Sequence, residues 1–127
     1  NDTIAFSHFL KAEFYLRQKK VGDAIKELLF ITGNYNNTKI VPLVNLRLGL
    51  LYYRMHDYNN SLKFISYLDN TDLSDKANIF KGQLYETKFF DYEKAIGFYM
   101  EILDKIPKSI YSEPVRYHIR KLQKVES

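Results

Sequence analysis

Apolar positions in this chain recur every three or four residues, in seven stretches parted by short polar breaks. Phe6, Phe9, Leu10, Phe14 and Leu16 follow the 3.6-residue period of a helix from about Thr3 to Lys19. Val21-Gly22-Asp23 interrupts it, with Gly22 giving turn freedom and Asp23 a side chain suited to an N-cap. A second helix is expected from Ala24 to about Thr32 on Ile25, Leu28, Leu29 and Ile31, and Gly33 stands where a helix stop belongs. The third begins near Pro42, whose missing N–H is harmless in a first turn, and carries Leu43, Leu46, Leu48, Leu50, Leu51, Tyr52 and Tyr53. After the turn His56-Asp57-Tyr58-Asn59, a returning helix is marked by Leu62, Phe64, Ile65 and Leu68. Ser74 reads as the next N-cap, with Asp75 favourable in the first turn of a helix that reaches about Lys88. The sixth helix starts at Asp91 and runs through Ala95, Ile96, Tyr99, Ile102 and Leu103 to Pro107, which ends it. The last spans roughly Ser112 to Val125, with Val115, Ile119, Leu122 and Val125 as an apolar stripe and Arg116, Arg120 and Lys124 as a charged one. No alternating run lies between tight-turn dipeptides, so the pattern predicts an all-α fold.

These stretches pair into three helical hairpins with one internal plan. A small residue sits three before a tyrosine in each first helix: Ala12 and Tyr15, Gly49 and Tyr52, Gly82 and Tyr85. A small residue opens the apolar run of each second helix, at Ala24, Ser61 and Ala95. The small-to-small interval is 12, 12 and 13 residues, and the second-helix residue steps by 37 and then 34. A period of this size means stacked supersecondary units, which present surfaces and rarely do chemistry.

Composition changes the picture little. With 127 residues, 46% hydrophobic and 27% charged, the chain is expected to form a single domain with a real core. No run approaches the ~18 apolar residues of a membrane span, and Asn1-Asp2-Thr3 does not open a signal peptide. The chain does not begin with Met, and it is read as part of a longer protein. The absence of cysteine removes disulfides, thiol catalysis and cysteine-type zinc sites. A net charge of +4 is mild, with 15 acidic residues interspersed among 19 basic ones, which argues against a dedicated nucleic-acid binder. Tyrosine and phenylalanine at helical spacing are read as core rather than base-stacking platforms.

The segment Phe90-Asp91-Tyr92-Glu93-Lys94-Ala95-Ile96-Gly97-Phe98-Tyr99, running on to Pro107, resembles a tetratricopeptide repeat. So does Leu48-Gly49-Leu50-Leu51-Tyr52-Tyr53 followed by Asp57-Tyr58, and the first hairpin is similar through Ala12, Tyr15, Ala24 and Ile25. The family's first-helix tryptophan position holds His8, Asn45 and Asn78, so these are diverged repeats. The resemblance implies a right-handed α-solenoid of three hairpins, at about 3–33, 41–70 and 74–107, closed by a capping helix at about 112–125. The closing segment from Pro107 to Tyr111, with Arg116 and Ile119-Arg120-Lys121-Leu122, is similar to the ends of bacterial envelope-associated repeat proteins and implies a periplasmic or envelope location.

In that family the first helices line a concave groove that holds a partner helix or an extended segment. Carried over residue by residue, the groove columns are Phe6, Leu43 and Lys76; Phe9, Leu46 and Ile79; Glu13, Leu50 and Gln83; Leu16, Tyr53 and Glu86; and Arg17, Arg54 and Thr87. Phe9, Leu46, Glu13 and Leu50 occupy the positions where one family branch clamps a carboxylate with Lys and Asn, so that mode is rejected. The expected partner surface is Phe9, Leu46, Leu50 and Tyr53 with Arg17 and Arg54 at one end, suited to an amphipathic helix or an apolar peptide with an acidic group. The same leucines serve equally well as packing between repeats, and both readings stand at this point.

Little points to chemistry. His8, His56 and His118 are far apart in sequence and lack a metal-type partner at i+4. No phosphate loop, nucleophile elbow or metalloprotease signature is present. Asp69, Asp72 and Asp75 lack the spacing of a calcium loop and are read as helix caps. No cofactor, metal or small-molecule substrate is expected, and the chain is read as a protein-binding adaptor or scaffold rather than an enzyme. Two alternatives remain: self-association through the apolar first helix, and docking of the Arg116, Arg120, Lys121 and Lys124 stripe to anionic lipid or nucleic acid.

Overall fold

A computed structural model describes residues 1–105 and 108–126. The expected stop at Pro107 lies outside the described residues. Among these residues all regular structure is helical: α1 (Asp2–Arg17), α2 (Val21–Asn34), α3 (Val41–Arg54), α4 (Tyr58–Ser66), α5 (Ser74–Thr87), α6 (Tyr92–Lys105) and α7 (Ser112–Glu126). None of the described helices is long and apolar enough to cross a membrane. The helices gather into two compact units, α1–α4 within Asn1–Tyr67 and α5–α7 from Leu68 onward.

In the first unit each helix packs on the next in sequence. Ala5, Phe9 and Ala12 of α1, Ala24, Ile25, Leu28 and Ile31 of α2, and Val41, Val44, Leu48 and Leu51 of α3 form its core, with Phe64 of α4. In the second unit α6 packs on both α5 and α7. Ala95, Ile96, Tyr99 and Ile102 meet Val115, Ile119 and Leu122, flanked by Ile79 and Tyr85 of α5.

The small residues do what their spacing predicts. A Cβ on Gly49 would lie 2.5 Å from Ile65 Cδ1, so any larger residue would force the Ile65 side chain to shift where α3 meets α4. The Ser61 hydroxyl uses the same approach to donate to the Gly49 carbonyl at 2.7 Å. A Cβ on Gly82 would collide with the Tyr99 ring across α5 and α6. Ala12, Ala24 and Ala95 are fully buried. The repeated tyrosine fills the flank: Tyr52 stacks on Phe64 with ring centres 5.6 Å apart, and Tyr85 on Phe98 at 5.4 Å.

The turns carry a further repeat. Lys19, His56 and Phe90 each take left-handed backbone, with φ of 60°, 61° and 55°. The residue after each donates its N–H to the carbonyl of the repeated tyrosine: Lys20 to Tyr15 at 2.9 Å, Asp57 to Tyr52 at 2.9 Å and Asp91 to Tyr85 at 2.8 Å. This closure ties each turn back to a carbonyl of the helix's last turn, and those of Tyr15 and Tyr52 also accept from the N–H groups of Gln18 and Met55. The extra residue expected in the third hairpin falls inside that loop, between Tyr85 and Asp91.

Three helix ends differ from expectation. Because the first turn closes at Lys20, α2 begins at Val21 with Lys20 as its cap, and Asp23 lies in the first helical turn, where its charge still suits the helix dipole. Gly33 does not stop α2; Asn34 extends it, its side-chain amide donating to the Phe30 carbonyl at 3.0 Å. Leu73 rather than Ser74 caps α5, its N–H held by Thr71 Oγ1 at 3.2 Å. Asp57 and Asp91 accept from the N–H groups of Asn60 and Lys94, at 3.2 and 3.1 Å.

Candidate functional site

The 100° step between helical residues sorts α3 into two faces. Val41, Val44, Leu48 and Leu51 turn into the core. Leu43, Leu46, Leu50, Tyr53 and Arg54 turn outward; Leu43 is 43% exposed, Arg54 is exposed, and Leu46, Leu50 and Tyr53 are half-buried. The Tyr53 ring meets Tyr58 of α4 edge-on, with centres 5.5 Å apart. Arg17 is exposed in the last turn of α1. Phe9 requires correction: at 8% exposure it belongs to the core with Ala5 and Ala12, because its side of α1 faces α2.

Beside this face, Arg47 Nε of α3 lies 2.8 Å from Glu13 Oε1 of α1, both groups partly covered. Sequence reading missed Arg47; the only signal was a base and an acid near the small residue of adjacent first helices. Desolvation makes such a pair more a constraint on geometry than a source of stability.

The corresponding positions of α5, described within its own unit, are different. Lys76, Gln83 and Thr87 are exposed, and Ile79 packs against the core. Glu86 is engaged internally, its Oε1 accepting from the Tyr99 hydroxyl at 3.0 Å and lying 2.7 Å from His118 Nε2. It thereby links α5, α6 and α7. Burial, then the neighbouring Glu86 charge and its hydrogen bond, push the Tyr99 phenol well above its ordinary range.

Each histidine has a partner. His8 Nδ1 lies 2.7 Å from Glu27 Oε2, with its ring 4.5 Å from that of Phe30, and His56 Nδ1 lies 2.7 Å from the Tyr58 hydroxyl. Asp69, expected as a cap, instead pairs with Lys81 Nζ at 2.8 Å, and that buried lysine also lies 4.6 Å from the centre of the Phe98 ring. Among the described residues no three His, Cys, Asp or Glu side chains gather as metal ligands.

Two exposed surfaces remain. Phe6, Leu10 and Phe14, at 51%, 53% and 60% exposure, form an i, i+4, i+8 stripe on α1. On α7, Arg116, Tyr117, Arg120, Lys121 and Lys124 are exposed; Arg116 pairs with Glu113, and Lys121 Nζ stands 5.5 Å from the centre of the Tyr117 ring. No protein-family model matches this chain, and no curated protein matches it.

Proposed function

We propose that this chain is a protein–protein interaction module of the tetratricopeptide kind, an adaptor or assembly scaffold built as a right-handed solenoid of three hairpins closed by α7. The close glycine approaches in the second and third hairpins, and the closure of all three turns on the repeated tyrosine's carbonyl, support that reading. The observation that carries the functional part is the outward side of α3, where Leu43, Leu46, Leu50 and Tyr53 keep apolar surface in contact with water beside Arg54. Such a surface fits the apolar side of a partner helix or an extended segment, with an acidic residue near Arg54 and Arg17.

The test is a crosslinking capture from the native cell, wild type beside Leu50→Glu, read by mass spectrometry. A protein lost with Leu50→Glu, while circular dichroism shows the variant still helical, supports the reading. An unchanged captured set overturns it. The bond should survive moderate salt, since apolar burial rather than charge carries it.

A second reading is favoured by the α1 stripe. Phe6, Leu10 and Phe14 would bury apolar surface against a second copy, and sedimentation velocity of Leu10→Glu beside wild type tests it. Concentration-dependent sedimentation abolished by Leu10→Glu supports self-association; a monomer at every concentration removes it.

A further inference from the structure

The basic side of α7 has no part in the reading above. At about 100° per residue, Arg116, Tyr117, Arg120, Lys121 and Lys124 share an arc of about 140°, opposite the core residues Val115, Ile119 and Leu122. All five are exposed, and the cations lie within about 12 Å of helix length. Arg116 and Arg120, and then Arg120 and Lys124, are like charges at i, i+4, an arrangement that costs stability until an anion faces it. Glu113, on the same arc, is exposed and paired with Arg116.

This charge adjoins apolar surface. Between α6 and α7 a shallow groove of about 240 Å³ has Met100, Leu103 and Ile119 as its floor and Arg116, Arg120 and Gln123 on its α7 side. No acidic residue lines it, Met100 is exposed and Leu103 is half-buried. On the other side of Arg120 stands Tyr117, 62% exposed, with Lys121 against its ring. The neighbours choose among the anions that match the cations. A single-stranded nucleic acid is held on successive aromatic platforms, and this arc has one tyrosine. An acidic protein needs a central anchor pocket, because exposed ion pairs alone contribute little, and the groove is small and open. An anionic bilayer is a sheet of mobile phosphates that meets the cations without fixed geometry. Just beneath lies the polar-to-apolar boundary where tyrosine rings and the stems of Lys and Arg settle.

We propose that the basic side of α7, with the α6–α7 groove beside it, docks this chain on the surface of an anionic lipid bilayer. Arg116 and Arg120 pair with lipid phosphates over the Met100 and Leu103 floor, Lys121 and Lys124 add charge, and Tyr117 enters the headgroup layer. The apolar stripe of α7 is committed to the core, so the helix rests on the bilayer rather than sinking into it. The surface is separate from the outward side of α3, and its test contains no protein partner.

The experiment is vesicle flotation of the full chain at low salt, with vesicles of phosphatidylcholine alone and of equal parts phosphatidylcholine and phosphatidylglycerol. The expected result is capture by the anionic vesicles only, lost at high salt. A basic residue at such a surface strengthens binding about fivefold, so Arg116→Gln with Arg120→Gln should weaken it about 25-fold. Lys121→Gln with Lys124→Gln should act similarly, and it carries the test if circular dichroism shows the arginine pair unfolded. Lys20→Gln with Lys26→Gln, at exposed positions of the first unit, lowers the net charge equally and should leave binding within about twofold of wild type. Polyglutamate and a single-stranded thymidine oligonucleotide are titrated alongside. The proposal is overturned if anionic vesicles capture no more chain than neutral ones, or if the Lys20 and Lys26 pair costs as much as a folded α7 pair. It is also overturned if either soluble polyanion binds more tightly than the vesicles at equal anionic charge, which would assign the surface to an acidic protein or a nucleic acid.

Discussion

The hairpins α3–α4 and α5–α6 are alike inside and unlike outside. Each presses a glycine of its first helix against a bulky side chain of its second, Gly49 on Ile65 and Gly82 on Tyr99. Each stacks the repeated tyrosine on a phenylalanine and closes its turn on that tyrosine's carbonyl. Their outward sides then part company. Where α3 shows Leu43, Leu46, Leu50 and Tyr53, α5 shows Lys76 and Gln83 and commits Glu86 to holding α6 and α7. Close packing leaves few choices for an interior, whereas an outward position is constrained only by what must bind there. A hairpin whose first helix keeps an apolar outward side and a hairpin whose first helix also holds a further helix therefore diverge at the same positions.

The comparison can be broken at its contacts. Gly82→Val should cost about 3 kcal/mol, near the upper end for overpacking, and Gly49→Val clearly less. The Tyr99 ring is rigid and its hydroxyl is tied to Glu86, whereas Ile65 can change rotamer. Urea unfolding of the two variants measures this, and equal costs would show that the two interiors yield equally.

Next in size is Glu86→Ala, which leaves the buried Tyr99 hydroxyl and His118 without their carboxylate. The expected loss is about 2 kcal/mol, with hydrogen-exchange protection falling first in α7. Tyr99 also gives a pH signature. Its folded pKa is raised, so above about pH 10 the unfolded chain releases a phenolic proton that the folded chain keeps. The stabilisation is complete below that pH and is lost as pH rises through the folded value. Tyr99→Phe should flatten this alkaline decline in thermal scans, leaving the contribution of Tyr52, whose pKa is raised by burial and Asp57.

Smaller effects sharpen the likeness. Ser61→Ala removes the hydroxyl bond to the Gly49 carbonyl and makes the second hairpin match the third, where Ala95 holds that place. It should cost about 1 kcal/mol by denaturant midpoint. Gly97→Ala, in the exposed middle of α6 with nothing near its added Cβ, should stabilise by about 0.8 kcal/mol.

What the sequence made legible follows from the same division. Residues that two helices squeeze between them cannot vary much, so Ala12, Gly49, Gly82 and their partners announced the hairpins through spacing alone. The helix starts were harder. Left-handed backbone is normally a mark of Gly or Asn, but here Lys19, His56 and Phe90 adopt it, and none of these types signals a turn end. For that reason the expected start of α2, capped by Asp23, falls three residues after the actual cap at Lys20. Phe9 was misplaced because core and outward side on α1 lie only a fraction of a turn apart, less than the register of diverged repeats can resolve. Leu50 and Tyr53 were legible as candidates since their column on α3 runs apolar. Asn45 and Lys81 were invisible as buried polar groups, because periodicity reports apolar positions and is silent on which polar ones they cover.

The left-handed turn residues bear on how much change this chain can absorb. Holding a side chain other than glycine in that conformation costs about 1 kcal/mol or more. Glycine at Lys19, His56 or Phe90 would relieve that strain at the hairpin ends without replacing any residue of α3's outward side. Three such positions amount to a margin comparable to the cost of a severe surface-to-core error. A lineage or a designer that drew on them could remodel the outward surfaces heavily and still have a folded protein.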